Sequence, residues 1–241
     1  MTPLALALDP NTLALGPIWF VIFLMSLTCH EAAHALVARW GGDPTASLAG
    51  QVTLDPRPHI RREPFGTILV PIISYLLSGW MMGWASAPYD PLWQRRHPRR
   101  AALMALAGPA ANMILVLVAA AAIHVGILAG IFEPPGRANF KHVVDASPGT
   151  FPEGLATFLS IMFSLNLLLA AFNLLPVPPL DGNTAVGLVM SEEMAIRFMD
   201  WTRHPSFTYV GIFLAWKIFD IIFDPIFLFG LKLLYPFESY G

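Results

Sequence analysis

In the stretch LTCHEAAHALVARW, residues 27 to 40, three ionisable side chains interrupt an apolar run: His30, Glu31 and His34. On a helix, residues four apart lie one turn apart on one face, so His30 and His34 share a face. Two imidazoles placed this way can bind one zinc ion through nitrogen. Glu31 follows the first ligand and can reach a metal-bound water. There a carboxylate takes a proton and later delivers it to a leaving amine. This is the physical content of an H-E-x-x-H pattern. With only 7 histidines in 241 residues, a chance match is on the order of one in a hundred or below. A polar cluster that merely joins helices needs only Ser or Asn. Ionisable groups inside an apolar span are rare and mark function.

A catalytic zinc ion takes three protein ligands and keeps one open position. Cys29 is the single cysteine, so a thiolate cluster and an intramolecular disulfide are both excluded. His97 and His142 sit among charges and read as solvated loop residues, and His124 reads as a packing residue in an apolar span. His59 and His204 are loop candidates for the third ligand. Asp181 is better placed, in NLLPVPPLDG, where Pro176, Pro178 and Pro179 forbid regular helix. Irregular backbone at membrane depth survives only where it is buried in protein or lines a cavity. The alternative for Asp181-Gly182 is a plain chain reversal.

The elements that must position these groups are greasy. The chain is 56% hydrophobic and 12% charged, with mean hydropathy +0.60. A soluble domain carries roughly 25% charged residues. We expect an all-α polytopic membrane protein, a single domain over 1–241, with four to five transmembrane helices. Apolar segments run over 13–40, 65–87, 101–131, 153–175 and 206–235. The second carries Pro71, Gly79 and Gly83 and reads as re-entrant or broken. Near-alternating Thr, Val and Leu predict a short β-hairpin near 46–54, and 183–205 reads as a surface helix. The first 17 residues lack a basic region, so no cleaved signal peptide is expected. A net charge of −2 gives no pointer to nucleic acid.

With HEAAH on the first span, AGPAAN on a later one and NLLPVPPLDG beyond it, the chain resembles the site-2 protease family of intramembrane zinc metalloproteases, in its compact branch. The family pattern N-x-x-P-x-x-x-L-D-G is met by Asn173, Pro176, Leu180, Asp181 and Gly182. The resemblance covers roughly residues 20 to 190. It implies that His30, His34 and Asp181 ligate one zinc ion and that Glu31 is the catalytic base. It also implies that Asn173 and Asn112 hold a substrate strand or stabilise the tetrahedral intermediate. Beside Gly108, a helix–helix contact is the other reading of Asn112. Where the family often has a second Gly and then a basic residue or His, this chain has Asn183 and Thr184. That departure bears on the local backbone and on nearby charge.

Zinc binding makes a topological demand. The ends of the first and fourth apolar segments must lie on the same side, which holds if 65–87 does not cross. Arg57, Arg61 and Arg62 precede that segment, and Arg95, Arg96, Arg99 and Arg100 follow it. The positive-inside rule places both clusters in the cytoplasm. We therefore expect 65–87 to enter and leave on that side, the other four segments to span, and the N-terminus to lie outside. The expected activity is hydrolysis of peptide bonds in transmembrane segments of membrane proteins, in the cytoplasmic membrane and towards its cytoplasmic face. The strand-like 46–54 would pair with the unwound substrate. A zinc or cation transporter and a non-catalytic zinc-binding membrane protein are the alternatives. Lys217, Asp220 and Asp224 would be the transporter's further polar groups.

Overall fold

The computed structural model describes residues 10 to 240, without the side chains of Asn11, Pro205, Trp216 and Asp220. The first nine residues, on which the signal-peptide reading partly rests, lie outside the described residues. The fold is mostly helical and forms two compact units, Met1–Asp90 and Pro91–Gly241.

In the first unit, α1 (Pro10–Trp40) is the long helix that carries HEAAH. It stops at Gly41-Gly42-Asp43-Pro44, since Gly ends helices and Pro cannot continue them. Gly42 takes φ 97°, and the N–H of Asp43 returns to the Ala38 carbonyl at 2.9 Å. This left-handed closure favours glycine. The buried Asp43 then does two jobs. Its carboxylate accepts from Thr45 N at 3.0 Å and from Asp90 N at 2.7 Å, tying the turn after α1 to the end of the unit.

The β-hairpin expected near 46–54 is not formed. Instead Thr45–Leu48 makes one helical turn, α2, and residues 52–54 follow as bends. The Asp43 side chain satisfies the first N–H of that turn, and Gly50 at φ 73° closes it. Capping at both ends outweighs a weak alternation that has no partner strand. Next, Asp55 caps α3 (Pro56–Arg62), accepting from Arg57 N at 3.0 Å. A hydrogen bond from the Arg57 side chain holds the Asp55 carboxyl at about 2, below its ordinary 3.8. The stabilisation from this pair is present above the ordinary value and is lost as pH falls towards 2.

Residues 64–90 fold back on themselves. A π-helical turn (Phe65–Leu69) leads into α4 (Val70–Ser78). The wide turn sits directly before Pro71, whose ring and missing N–H a regular helix would not accommodate. Gly79 reverses the chain at φ 72°. Residues 80–86 then return along α4. Trp84 N donates to Gly66 O at 3.1 Å, Met82 N to Ser74 Oγ at 2.9 Å, and Ser86 Oγ to Glu63 Oε1 at 2.7 Å. The two ends of the segment are therefore adjacent. Trp19 on α1 packs near Tyr75 and Trp80, with ring centroids 6.0 and 5.8 Å away.

In the second unit, α5 (Pro91–Arg96) precedes the long helix α6 (Pro98–Leu128), which packs on α7 (Phe151–Asn173). Between them Asn112 Nδ2 donates to Asn166 Oδ1 at 2.8 Å, both residues fully buried. The connection from 129 to 150 is pinned to α7 by Ser160 Oγ, which accepts from Val143 N and Val144 N. After α7 an irregular stretch leads to α8 (Asp181–Ala185) and a short 3₁₀ turn (Val186–Val189). The expected surface helix is α9 (Glu192–Thr202), capped by Ser191 Oγ on Met194 N. The last helix is α10 (Pro205–Leu234).

Among the described residues, three helices are long and apolar enough to cross a membrane: Thr12–Trp40, Pro98–Leu128 and Phe151–Asn173. On α6, Leu117 and Val125 are 63% and 65% exposed, a cost in water that lipid removes. The fourth expected span, α10, meets the apolar standard only over the shorter Ser206–Phe219. Lys217 and Asp224 interrupt it. Lys217 Nζ lies 5.9 Å from the Phe213 ring centroid, and the Asp220 side chain is outside the described residues.

The returning segment depends on glycine at two places. A Cβ on Gly83 would lie 2.2 Å from Gly66 O, and one on Gly66 would lie 2.3 Å from Trp84 O. Gly83→Ala should destabilise the hairpin by about 1–3 kcal/mol through overpacking. Hydrogen exchange over 80–86 checks this. Faster exchange confined to the hairpin is expected, and unchanged exchange would contradict the close approach.

Candidate metal centre

His30 and His34 sit in the last third of α1, where the helix is already buried by apolar neighbours. Ile22, Phe23, Leu27, Ala35 and Ala38 are all nearly inaccessible. His30, Glu31 and His34 are 5%, 5% and 7% exposed, so all three titratable groups are withdrawn from water. The helix turns the two rings towards each other. Their Nε2 atoms are 3.0 Å apart, with ring centroids at 4.6 Å and planes at 82°. Two nitrogens bound to one tetrahedral zinc at about 2.05 Å would stand roughly 3.3 Å apart. The observed pair is close to that geometry, so the donor chemistry fits a zinc ion.

In the second unit, Asp181 is the first residue of α8. It follows the run from Leu174 to Leu180, which contains a cis Pro178–Pro179 bond. Gly182 lets this turn press against the end of α7. A Cβ there would meet Leu174 O at 2.3 Å and Leu175 O at 2.4 Å. The next residue, Asn183, donates from Nδ2 to Thr202 Oγ1 on α9 at 3.2 Å.

The other histidines have local jobs. His59 is buried in the first unit, with Nε2 3.2 Å from Thr53 O. His204 Nδ1 accepts from Ser206 N at 3.3 Å and caps α10. His124 Nδ1 lies 2.9 Å from Ala120 O, and His142 Nδ1 lies 3.9 Å from Asp145. Asn173 Nδ2 donates to Leu169 O within α7 at 3.0 Å. Asn112 is committed to Asn166, the helix–helix contact weighed above. Asn166, on the same apolar span as the N-x-x-P motif, was not singled out from sequence. The signal available was that a lone Asn at membrane depth needs a partner, and Asn112 was in view.

A protein-family model for peptidase family M50 matches residues 18–217. YwhC of Bacillus subtilis (strain 168), named as a candidate zinc metalloprotease, is 37% identical over 171 residues, which is 70% of this chain and 68% of YwhC. Rip2 of Mycobacterium tuberculosis (strain H37Rv), also named as a candidate zinc metalloprotease, is 31% identical over 164 residues. Rip2 of Mycolicibacterium smegmatis is 30% identical over 164 residues. The matched part is 68% of this chain but 54% of each Rip2, so the chain spans about half the length of those relatives. No solved structure matches the chain. Apolar helices long enough to span, a buried H-E-x-x-H pair of the right geometry and a match over most of the length converge: the chain is an integral membrane metalloprotease of peptidase family M50, the site-2 protease family.

Proposed function

We propose that this protein hydrolyses peptide bonds in the transmembrane segments of other membrane proteins, with one zinc ion held by His30, His34 and Asp181 and with Glu31 as the base. The observation that carries this is the His30–His34 pair, 3.0 Å apart and buried beside Glu31 on an apolar helix. One imidazole nitrogen from each histidine and one carboxylate oxygen, which Asp181 offers in the N-x-x-P-x-x-x-L-D-G pattern, make a donor set suited to a single zinc ion. His30 and His34 belong to the first unit and Asp181 to the second. In our reading the protease domain takes up 1–241.

When bound, zinc supplies Lewis acidity that makes a water acidic near neutral pH and polarises the scissile carbonyl. Glu31 accepts one proton from the attacking water as oxygen bonds to the carbonyl carbon. It returns that proton to the amide nitrogen as the C–N bond breaks. The low polarity around Glu31 strengthens each of these charge interactions.

A transmembrane helix hides its backbone in hydrogen bonds, so a substrate must unwind before it can be cut. The extended stretch 80–86 is suited to receive the unwound strand. Met82 and Trp84 turn their N–H groups to their own hairpin. Alternate backbone groups of an extended chain face opposite ways. Those of Met81, Gly83 and Ala85 then form an edge that another backbone can join. This edge takes the role that 46–54 held on sequence grounds. In our reading the 65–87 hairpin dips into the bilayer and leaves on the cytoplasmic side, because Glu63 and Ser86 meet at 2.7 Å. The active site then faces the cytoplasm.

Two substitutions separate the roles. Glu31→Gln should keep its zinc and lose cleavage by about 10²–10⁴-fold, read as metal content and proteolysis on one preparation. Residual cleavage near the parent rate would remove Glu31 as the base. Asp181→Ala should lower zinc retention at least about tenfold. Unchanged zinc would move the third ligand to His59 or His204.

A further inference from the structure

Asn183 stands where the family pattern often has Gly, and the structure gives it a definite task. The segment that presents Asp181 has no regular structure of its own before α8, so its position is set by neighbours. Contacts inside the second unit hold it, among them those of Gly182, Gly211 and Asn183. Gly182 lies against the terminal carbonyls of α7 with no room for a Cβ. Gly211 on α10 presses on Pro178 O, where a Cβ would be 1.9 Å away. Both contacts are steric and block motion in one direction only. The third is directional, from Asn183 Nδ2 to Thr202 Oγ1 at 3.2 Å.

Thr202 is a firm anchor. It is 5% exposed, and its hydroxyl donates to Phe198 O at 3.0 Å, which leaves an oxygen lone pair aimed at Asn183. The helix that carries it is itself fixed. Asp200 pairs with Arg95 at 2.9 Å, and Arg203 reaches Gln94 at 3.3 Å. Both partners belong to α5, directly before the α6 span.

We infer that Asn183 and Thr202 are positioning residues for the third zinc ligand, and that α9 is a brace holding the Asp181 turn through their hydrogen bond. The inference rests on Asp181 being that ligand. A side-chain amide here does what a second Gly could not: it fixes the rotation of α8 about its axis, and with it the direction of the Asp181 carboxylate. Outer-shell partners that orient a ligand set metal affinity by about 10–100-fold.

The test is zinc affinity by chelator competition on the purified full chain, with the melting temperature of the zinc-stripped protein measured alongside. Thr202→Val keeps the shape and removes the acceptor. It should raise the zinc dissociation constant about tenfold and leave the stripped protein's melting temperature near that of the parent. Thr202→Ser keeps the hydroxyl and should restore parental affinity. Parental affinity in Thr202→Val, or equal weakening in Thr202→Ser, would overturn the inference. So would a drop in melting temperature with affinity unchanged, which marks a purely structural contact. Should Thr202→Val fail to fold, Asn183→Ala carries the same comparison with the anchor left in place. Asp181→Ala separates the two levels. If it binds zinc as the parent does, the ligand assignment itself fails. If it loses zinc while Thr202→Val does not, only the brace fails.

Discussion

The structure depends on one constraint: His30, Glu31 and His34 are buried in a helix whose surroundings are apolar. Removing ionisable groups from water is costly unless they are paired, hydrogen-bonded or bound to a metal. Two imidazoles facing each other at 3.0 Å, with a carboxylate one residue away, are a poor arrangement for packing and a good one for a cation. A hydrophobic replacement would stabilise that stretch of α1 more simply. Their presence there is what the proposed zinc chemistry accounts for.

In the proposed reading, a zinc site on this helix needs a third ligand and a place for an unwound substrate. Regular helix provides neither, because its backbone groups are already bonded to each other. Irregular backbone occurs in two places. Residues 80–86 run without helix or strand beside α4, and residues 174–180 run irregular between α7 and α8. Such stretches are stable in an apolar setting only when neighbours take up their polar groups. In both, glycine brings backbones closer than any side chain permits: Gly66 with Gly83 in the first, Gly182 and Gly211 around the second. Short polar side chains then set direction, Ser74 and Ser86 in one case and Asn183 with Thr202 in the other.

Much of this was legible in the sequence. The i, i+4 histidines on a greasy run needed only helical geometry to be read as a ligand pair. The Pro-rich stretch before Asp181 could not be helical, and it is not. GGDP ended α1 where glycine and proline chemistry required. The fold-back of 65–87 has its local cause in Pro71 and Gly79. The hairpin at 46–54 failed because its alternation was short and because Asp43 takes up the first N–H of a helical turn there. The Asn112–Asn166 pair was half seen, since its partner is 54 residues away and only tertiary packing joins them. Pairwise contacts between distant segments leave little trace in one sequence, whereas local backbone chemistry leaves a strong one.

The central claim is that two histidine nitrogens and a carboxylate share one zinc ion. X-ray absorption at the zinc edge of the purified, membrane-reconstituted protein tests it most directly. The account predicts a four-coordinate site with two imidazoles at about 2.0–2.1 Å, the remaining ligands being oxygen. A spectrum with sulfur ligation, with no imidazole scattering, or with a single histidine would contradict it.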